Sequence, residues 1–152
     1  MGLNRFITEE KALSRIAALC AKAEYCKGDI NDKMKRWGLD EAARKKIIDY
    51  LEEHQYIDET RYCRAFVDDK ITYNRWGRRK IEQALWMKHI SESISAPILD
   101  DVPEERYLEI LRPLLKAKLP TIKADTDYER SMKLMKFALG RGFSIDEIKK
   151  CM

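Results

Sequence analysis

Between Lys70 and Lys80 the chain places Lys70, Arg75, Arg78, Arg79 and Lys80 without one acidic residue, and sets Tyr73 and Trp76 among them. Cations arranged around aromatic faces suit a phosphate backbone with nearby bases, or an acidic groove on a protein. The same residues also fit a solvated helix start whose aromatics pack inward, because surface Arg and Lys are ordinary. A smaller group, Lys33, Lys35 and Arg36, offers similar chemistry in the first third. Other chemistries find little material. Cys20, Cys26, Cys63 and Cys151 form no CxxC pair, and His54 and His89 hold no metal-ligand spacing to them. With no Ser/His/Asp or Cys/His constellation and no phosphate-cradling Gly loop, the sequence argues against an enzyme and implies no metal or cofactor.

The charge signal is local. Of 152 residues 37% are charged, yet the net charge is only +4. Residues 1–57 hold eleven cations to ten anions, residues 58–91 eight to five, and the remainder eleven to eleven, so the middle third carries most of the excess. The 45% of apolar residues suffices for a core. No apolar run is long enough to span a membrane and the N-terminus lacks the apolar stretch of a signal peptide, so the expectation is a cytoplasmic chain with reduced, mostly buried thiols and no membrane partner.

The elements that must position the cations read as helices. Asp58 and Glu59 open one at its amino end, and Tyr62, Cys63, Phe66, Val67 and Ile71 lay an apolar stripe along it to about Asn74. Gly77 permits a turn, after which Ile81, Ala84 and Leu85 begin a second stripe. Upstream, Thr8 caps a helix expected to reach about Lys27. Gly28 and Asp29 punctuate, Ile30 and Met34 pair on a short helix stopped near Gly38, and Asp40 caps a third with the stripe Ala43, Ile47, Tyr50, Leu51 and His54. Downstream, Ser91 caps a helix that Pro97 should shorten or bend. Pro103 opens another, which Pro113 should kink, and Leu119 to Asp127 reads as loop. Tyr128, Met132, Met135 and Leu139 predict the next apolar face, and Ser144 with Glu147 makes a capping box for the last helix.

An internal period emerges from these elements. Gly38-Leu39-Asp40, His89-Ile90-Ser91 and Gly142-Phe143-Ser144 each close one helix and cap the next, at offsets of 51 and 53 residues. The pairs Ile30/Met34, Ile81/Leu85 and Leu134/Ala138 repeat in the same register. The expected architecture is all-α, three tandem three-helix repeats (1–57, a basic 58–101, and 102–152) stacked into an elongated, curved body.

At these residues the sequence resembles the RecX family, small modulators of the RecA recombinase built from tandem three-helix repeats. The middle repeat carries the likeness most fully. Tyr56, Ile57, Asp58 and Glu59 match its opening, Arg64, Ala65, Phe66 and Val67 its continuation, and Gly77, Arg78, Arg79, Ile81, Leu85, Lys88 and Ile90 its Gly, basic, Ile, Leu and Lys pattern. The first repeat aligns through Ala21, Lys22, Ala23, Glu24, Cys26, Lys33 and Met34, and the third through Gly142, Phe143, Ser144 and Ile148. Ala23 stands where the family favours Arg, Cys26 where it favours Ser, and His89 where Gly usually closes the middle helix. The resemblance implies a non-enzymatic, DNA-binding regulator of recombination, DNA repair and the SOS response. It implies a monomer that binds the RecA filament on single-stranded DNA and restrains its assembly, ATPase and strand exchange. Lys70, Tyr73, Arg75, Trp76, Arg78, Arg79, Lys80, Lys33, Lys35 and Arg36 are the candidate contacts with recombinase or nucleic acid. A helical nucleic-acid-binding module without a recombinase partner is the alternative.

Overall fold

The computed structural model describes residues 7–152, and among them there are nine α-helices and no strand. The helices are α1 (Glu9–Cys20), α2 (Lys27–Arg36), α3 (Glu41–Glu53), α4 (Glu59–Thr72), α5 (Arg78–Met87), α6 (Glu92–Asp100), α7 (Glu104–Lys118), α8 (Asp127–Gly140) and α9 (Ile145–Cys151), with a 3₁₀ turn at Leu119–Thr121. They form three successive three-helix repeats.

Side-chain caps set most of the helix starts. Thr8, Asp40, Asp58 and Thr126 each accept a hydrogen bond from the backbone N–H three residues on, at 2.8–3.2 Å, and Ser91 accepts from Ser93. Ser144 and Glu147 exchange bonds of 3.1 and 2.9 Å, the reciprocal box expected from their spacing. The stops also repeat. Gly38, His89 and Gly142 have φ of 84°, 62° and 98°, the left-handed conformation that turns a helix end back on itself. Leu39 and Phe143 then donate backbone N–H bonds to Met34 and Ala138, five residues back. Leu39, Ile90 and Phe143, next in line, are buried, as are the helical pairs Ile30/Met34, Ile81/Leu85 and Leu134/Ala138. The repeat is thus a repeat of burial and backbone conformation as well as of letters.

The chain divides into two compact units, Met1–Ala65 with Lys88–Ile90, and Phe66–Met87 with Ser91–Met152. In the first, α1 and α2 pack on α3 around Ile16, Ile30, Met34, Ile47 and Leu51, and Ile57 closes the cluster. In the second, α7 packs against α8 and α9 through Leu111, Leu115, Leu134 and Ile148, and α5 against α6. Burying side chains of this size stabilises by roughly 1.5–3 kcal/mol each relative to exposure. Among the described residues no helix is long and apolar enough to cross a membrane.

Several local expectations need correction. Helix α1 ends at Cys20 rather than near Lys27, because Ala21 to Ala23 turn away. Gly28 and Asp29 lie inside α2 rather than before it. Asp29 sits in the first turn, where its charge suits the helix dipole, and a side chain at Gly28 would stand 3.0 Å from the Lys88 carbonyl oxygen. Tyr50 and His54 are off the buried face of α3. They stack on each other at 4.1 Å in solvent, and a His54 ring nitrogen lies 2.9 Å from the Tyr50 carbonyl. On α4, Phe66 is only half-buried, whereas Tyr62, Cys63, Val67 and Ile71 are buried. On α8 the stripe is displaced from Tyr128 and Met132, both exposed, to Leu134 and Ala138. Helices α6 and α7 run through Pro97 and Pro113 without a break.

Candidate functional site

The run of cations between residues 70 and 80 is sorted by the fold into three groups. Lys70 lies in the last turn of α4 and Lys80 in the first turn of α5. Their ammonium groups sit 5.0 and 4.9 Å from the Trp76 ring centroid, one indole shared by two cations. Arg78 is neutralised, with Nη2 2.7 Å from Asp100 and Nε 3.4 Å from Glu82. Burial alone would lower its pKa, but the Asp100 hydrogen bond and the two carboxylate charges raise it overall. Arg75 and Arg79 are exposed, and Tyr73 projects into solvent with 77% of its surface accessible. Among the described residues Lys70, Arg75, Arg79 and Lys80 make no ion pair.

The turn holding Trp76 is built from an unusual backbone. Arg75 has φ of 56°, and Trp76 donates its N–H to the Lys70 carbonyl at 3.1 Å. A non-glycine residue in this region costs on the order of 1 kcal/mol or more, so the turn is held by its surroundings. Those surroundings are the α8–α9 corner. Gly77 N–H donates to the Arg141 carbonyl at 2.8 Å, Arg79 N–H donates to the Gly142 carbonyl at 3.1 Å, and the Arg141 guanidinium donates to the Asn74 carbonyl at 3.2 Å. The two glycines allow this approach. A Cβ on Gly77 would lie 2.4 Å from the Gly142 carbonyl carbon and oxygen, and one on Gly142 would lie 2.6 Å from the Lys80 backbone nitrogen.

Through this joint the cationic surface continues onto α7 and α8, which sequence reasoning missed. Arg141 lies over the Phe137 ring at 5.3 Å and Lys118 over the same ring at 5.0 Å. Lys118, Arg141, Lys70 and Lys80 therefore form a band around Phe137 and Trp76, two aromatic rings each carrying two cations. Only the neighbourhood of Arg141 to the repeated Gly142-Phe143-Ser144 could have hinted at it. Contacts of this type contribute about 0.5–1 kcal/mol each at exposed sites.

The remaining candidates lie in the first unit, at the carboxyl end of α2. Lys33 rests over Tyr25 at 5.7 Å, while Lys35 and Arg36 are exposed and, among the described residues, unpaired. Trp37 beside them is covered by Arg15 at 5.3 Å. Their placement already has a structural reason, since cations in a last turn complement the helix dipole. Helix α5 is the reverse case. Arg78, Arg79 and Lys80 occupy its first turn, and it alone among the nine described helices begins without an acidic residue. Cations there are unfavourable by some tenths of a kcal/mol, so helix stability does not account for them.

A helical-repeat protein presenting an unpaired cationic band is the class these features define. Sequence comparison gives the family. The second three-helix domain of RecX matches residues 58–96 and the third matches residues 104–152. The regulatory protein RecX of Clostridium botulinum strain Eklund 17B is 32% identical over 122 residues, 79% of this chain and 57% of that protein. The crystal structure of a regulatory protein RecX superimposes with a TM-score of 0.87 at 24% identity, over 94% of this chain and 72% of the other. RecX from Lactobacillus salivarius gives 0.82 at 19%, over 94% and 93%. The chain belongs to the RecX family, and spans a little over half the length of the Clostridium relative.

Proposed function

We propose that this chain regulates homologous recombination by binding the RecA nucleoprotein filament on single-stranded DNA and restraining its assembly, ATPase and strand exchange, in the cytoplasm and without catalysis of its own. The carrying observation is the placement of Lys80, unpaired among the described residues, at the first turn of α5, against the helix dipole, continuous with Lys70, Lys118 and Arg141 around two aromatic rings. A polyanion satisfies such a surface, and the RecX relatives are named as regulatory proteins. The repeat boundaries proposed with this reading are 1–57, 58–101 and 102–152, with 58–101 supplying most of the contacts.

Sedimentation of the purified chain with recombinase filaments, with recombinase alone and with bare single-stranded DNA tests the proposal. Co-pelleting with filaments is expected to be strongest, and to fall sharply when Lys70, Lys80 and Arg141 are changed together to Gln. Equal pelleting with bare DNA whether or not recombinase is present would favour a general nucleic-acid-binding module instead.

A further inference from the structure

Two cations of the run, Arg75 and Arg79, belong to neither the band nor, among the described residues, an ion pair. Arg79 lines a cleft of about 400 Å³ within the second unit, between the first turns of α5 and the α8–α9 corner. The floor is apolar: Phe143 is fully buried beneath it, and Leu139 and Ile145 line it, the latter exposing 49% of its surface. A large aliphatic residue left that open at the edge of a concave surface is a place for another apolar group to settle.

The charges on the walls decide what kind of group. On the α5 side Arg78 is held by Glu82 and Asp100, leaving Arg79 as the free charge. On the α9 side Glu147 is engaged with Ser144 in the capping box, leaving the exposed Asp146. Three carboxylates, of Glu82, Asp146 and Glu147, line the cleft together with the guanidinium groups of Arg78 and Arg79. A nucleic-acid backbone brings only negative charge and is repelled by that set, whereas Lys70, Lys80, Lys118 and Arg141 of the band make, among the described residues, no ion pair with a carboxylate. A protein segment can bring an apolar side chain for the floor and opposite charges for the two walls.

We infer that this cleft docks a short segment of a partner protein in which an aliphatic residue is flanked by an acidic residue, received by Arg79, and a basic residue, received by Asp146. The inference is separate from the phosphate-binding role of the band: one surface reads polyanion, the other reads mixed-charge peptide. Exposed charge pairs are weak individually, so the binding should be salt-sensitive and of modest strength, with the buried aliphatic anchor supplying specificity.

The experiment is amide-resonance mapping of the full chain titrated with a hexapeptide carrying Asp-Leu-Lys at its centre, with a Ser-Leu-Ser hexapeptide and a single-stranded oligonucleotide as comparisons. The Asp-Leu-Lys peptide should shift resonances of Arg79, Leu139 and Phe143 to Asp146 selectively, and the Ser-Leu-Ser peptide should bind at least fivefold more weakly. Arg79→Glu should weaken peptide binding about tenfold and Arg79→Lys should retain most of it. Ile145→Asp, at an exposed position, should abolish it with an unchanged melting temperature. The Lys70, Lys80 and Arg141 triple variant should still bind peptide, so that failure of the cleft and failure of the band are told apart. Shifts produced there by the oligonucleotide and not by the peptide, or peptide binding indifferent to both Arg79→Glu and Ile145→Asp, would overturn the inference.

Discussion

The two cationic regions look alike as sequence and differ as structure. At the end of α2, Lys33, Lys35 and Arg36 sit where a helix terminus welcomes positive charge, and other cations of the first unit are paired with carboxylates distant in sequence. Lys27 meets Glu52, Arg61 meets Glu24 and Lys88 meets Asp29, at 2.7–3.0 Å. At the start of α5 the charges sit where the helix opposes them, on a turn whose backbone is strained at Arg75 and locked against the α8–α9 corner. Charge that the fold can use is weak evidence for a partner. Charge that the fold must tolerate is stronger evidence.

The contrast can be broken most forcefully at the glycines. Gly77→Ala drives a methyl into the backbone of Gly142 and Phe143, and should destabilise by about 3 kcal/mol or more. Gly28→Ala meets a single carbonyl oxygen at 3.0 Å and should cost clearly less. Chemical denaturation of both variants checks this, and equal losses would remove the special status of the α4–α5 turn.

Next comes binding. Neutralising Lys70, Lys80 and Arg141 should flatten the log-log salt dependence of single-strand or filament binding by roughly 2, at about 0.7 per phosphate contact. The matching triple change of Lys33, Lys35 and Arg36 should leave the slope nearly intact. A salt titration in which both variants behave alike would erase the distinction between the two regions.

Alkali should soften the first unit before the second. Burial pushes the Cys26 and Cys63 thiols from 9.0 up to about 11. In the unfolded chain they ionise near 9 while the folded chain keeps both protons, so stability is full below pH 9 and falls as pH rises through 9 toward 11. The slope approaches about 1.4 kcal/mol per pH unit for each thiol. Hydrogen exchange between pH 8 and 10 should show protection in α2 and the start of α4 declining first, and Cys26→Ala with Cys63→Ala should flatten that decline.

Two relief substitutions, one per unit, give the smallest effects. His89→Gly removes a left-handed non-glycine residue and should stabilise by about 0.5–1 kcal/mol. Among the described residues the hydroxyl of Tyr107, buried on α7, has no hydrogen-bond partner, and burial pushes its pKa up to about 12. Tyr107→Phe should therefore stabilise by about 1 kcal/mol. Thermal melts that drop in either variant would show a compensating contact for that group.

The fold was readable because its signals are local. Caps such as Asp40 and Ser144, the i, i+4 pairs and the Gly38, His89, Gly142 register each act within one or two turns. The RecX pattern lay in the same residues. What stayed hidden depends on the third dimension. Helical spacing alone left the α8 stripe ambiguous between Tyr128/Met132 and Leu134/Ala138, and only packing against α7 and α9 chooses. The separate fates of Arg78 and Arg79, adjacent in sequence, depend on Asp100, 22 residues on. The share of Lys118 and Arg141 in the band depends on a backbone joint that charge counting has no means to detect.

That joint also bears on how such a protein can diverge. Each glycine of the Gly77–Gly142 contact is excluded from change by main-chain atoms, which no neighbouring substitution can trim, so the pair has no route to compensatory variation. The side chains at positions 75 and 79, by contrast, are exposed and make, among the described residues, no ion pair. Descendants of this sequence can therefore retune attraction to a charged polymer, residue by residue, while the geometry presenting those residues is inherited unaltered.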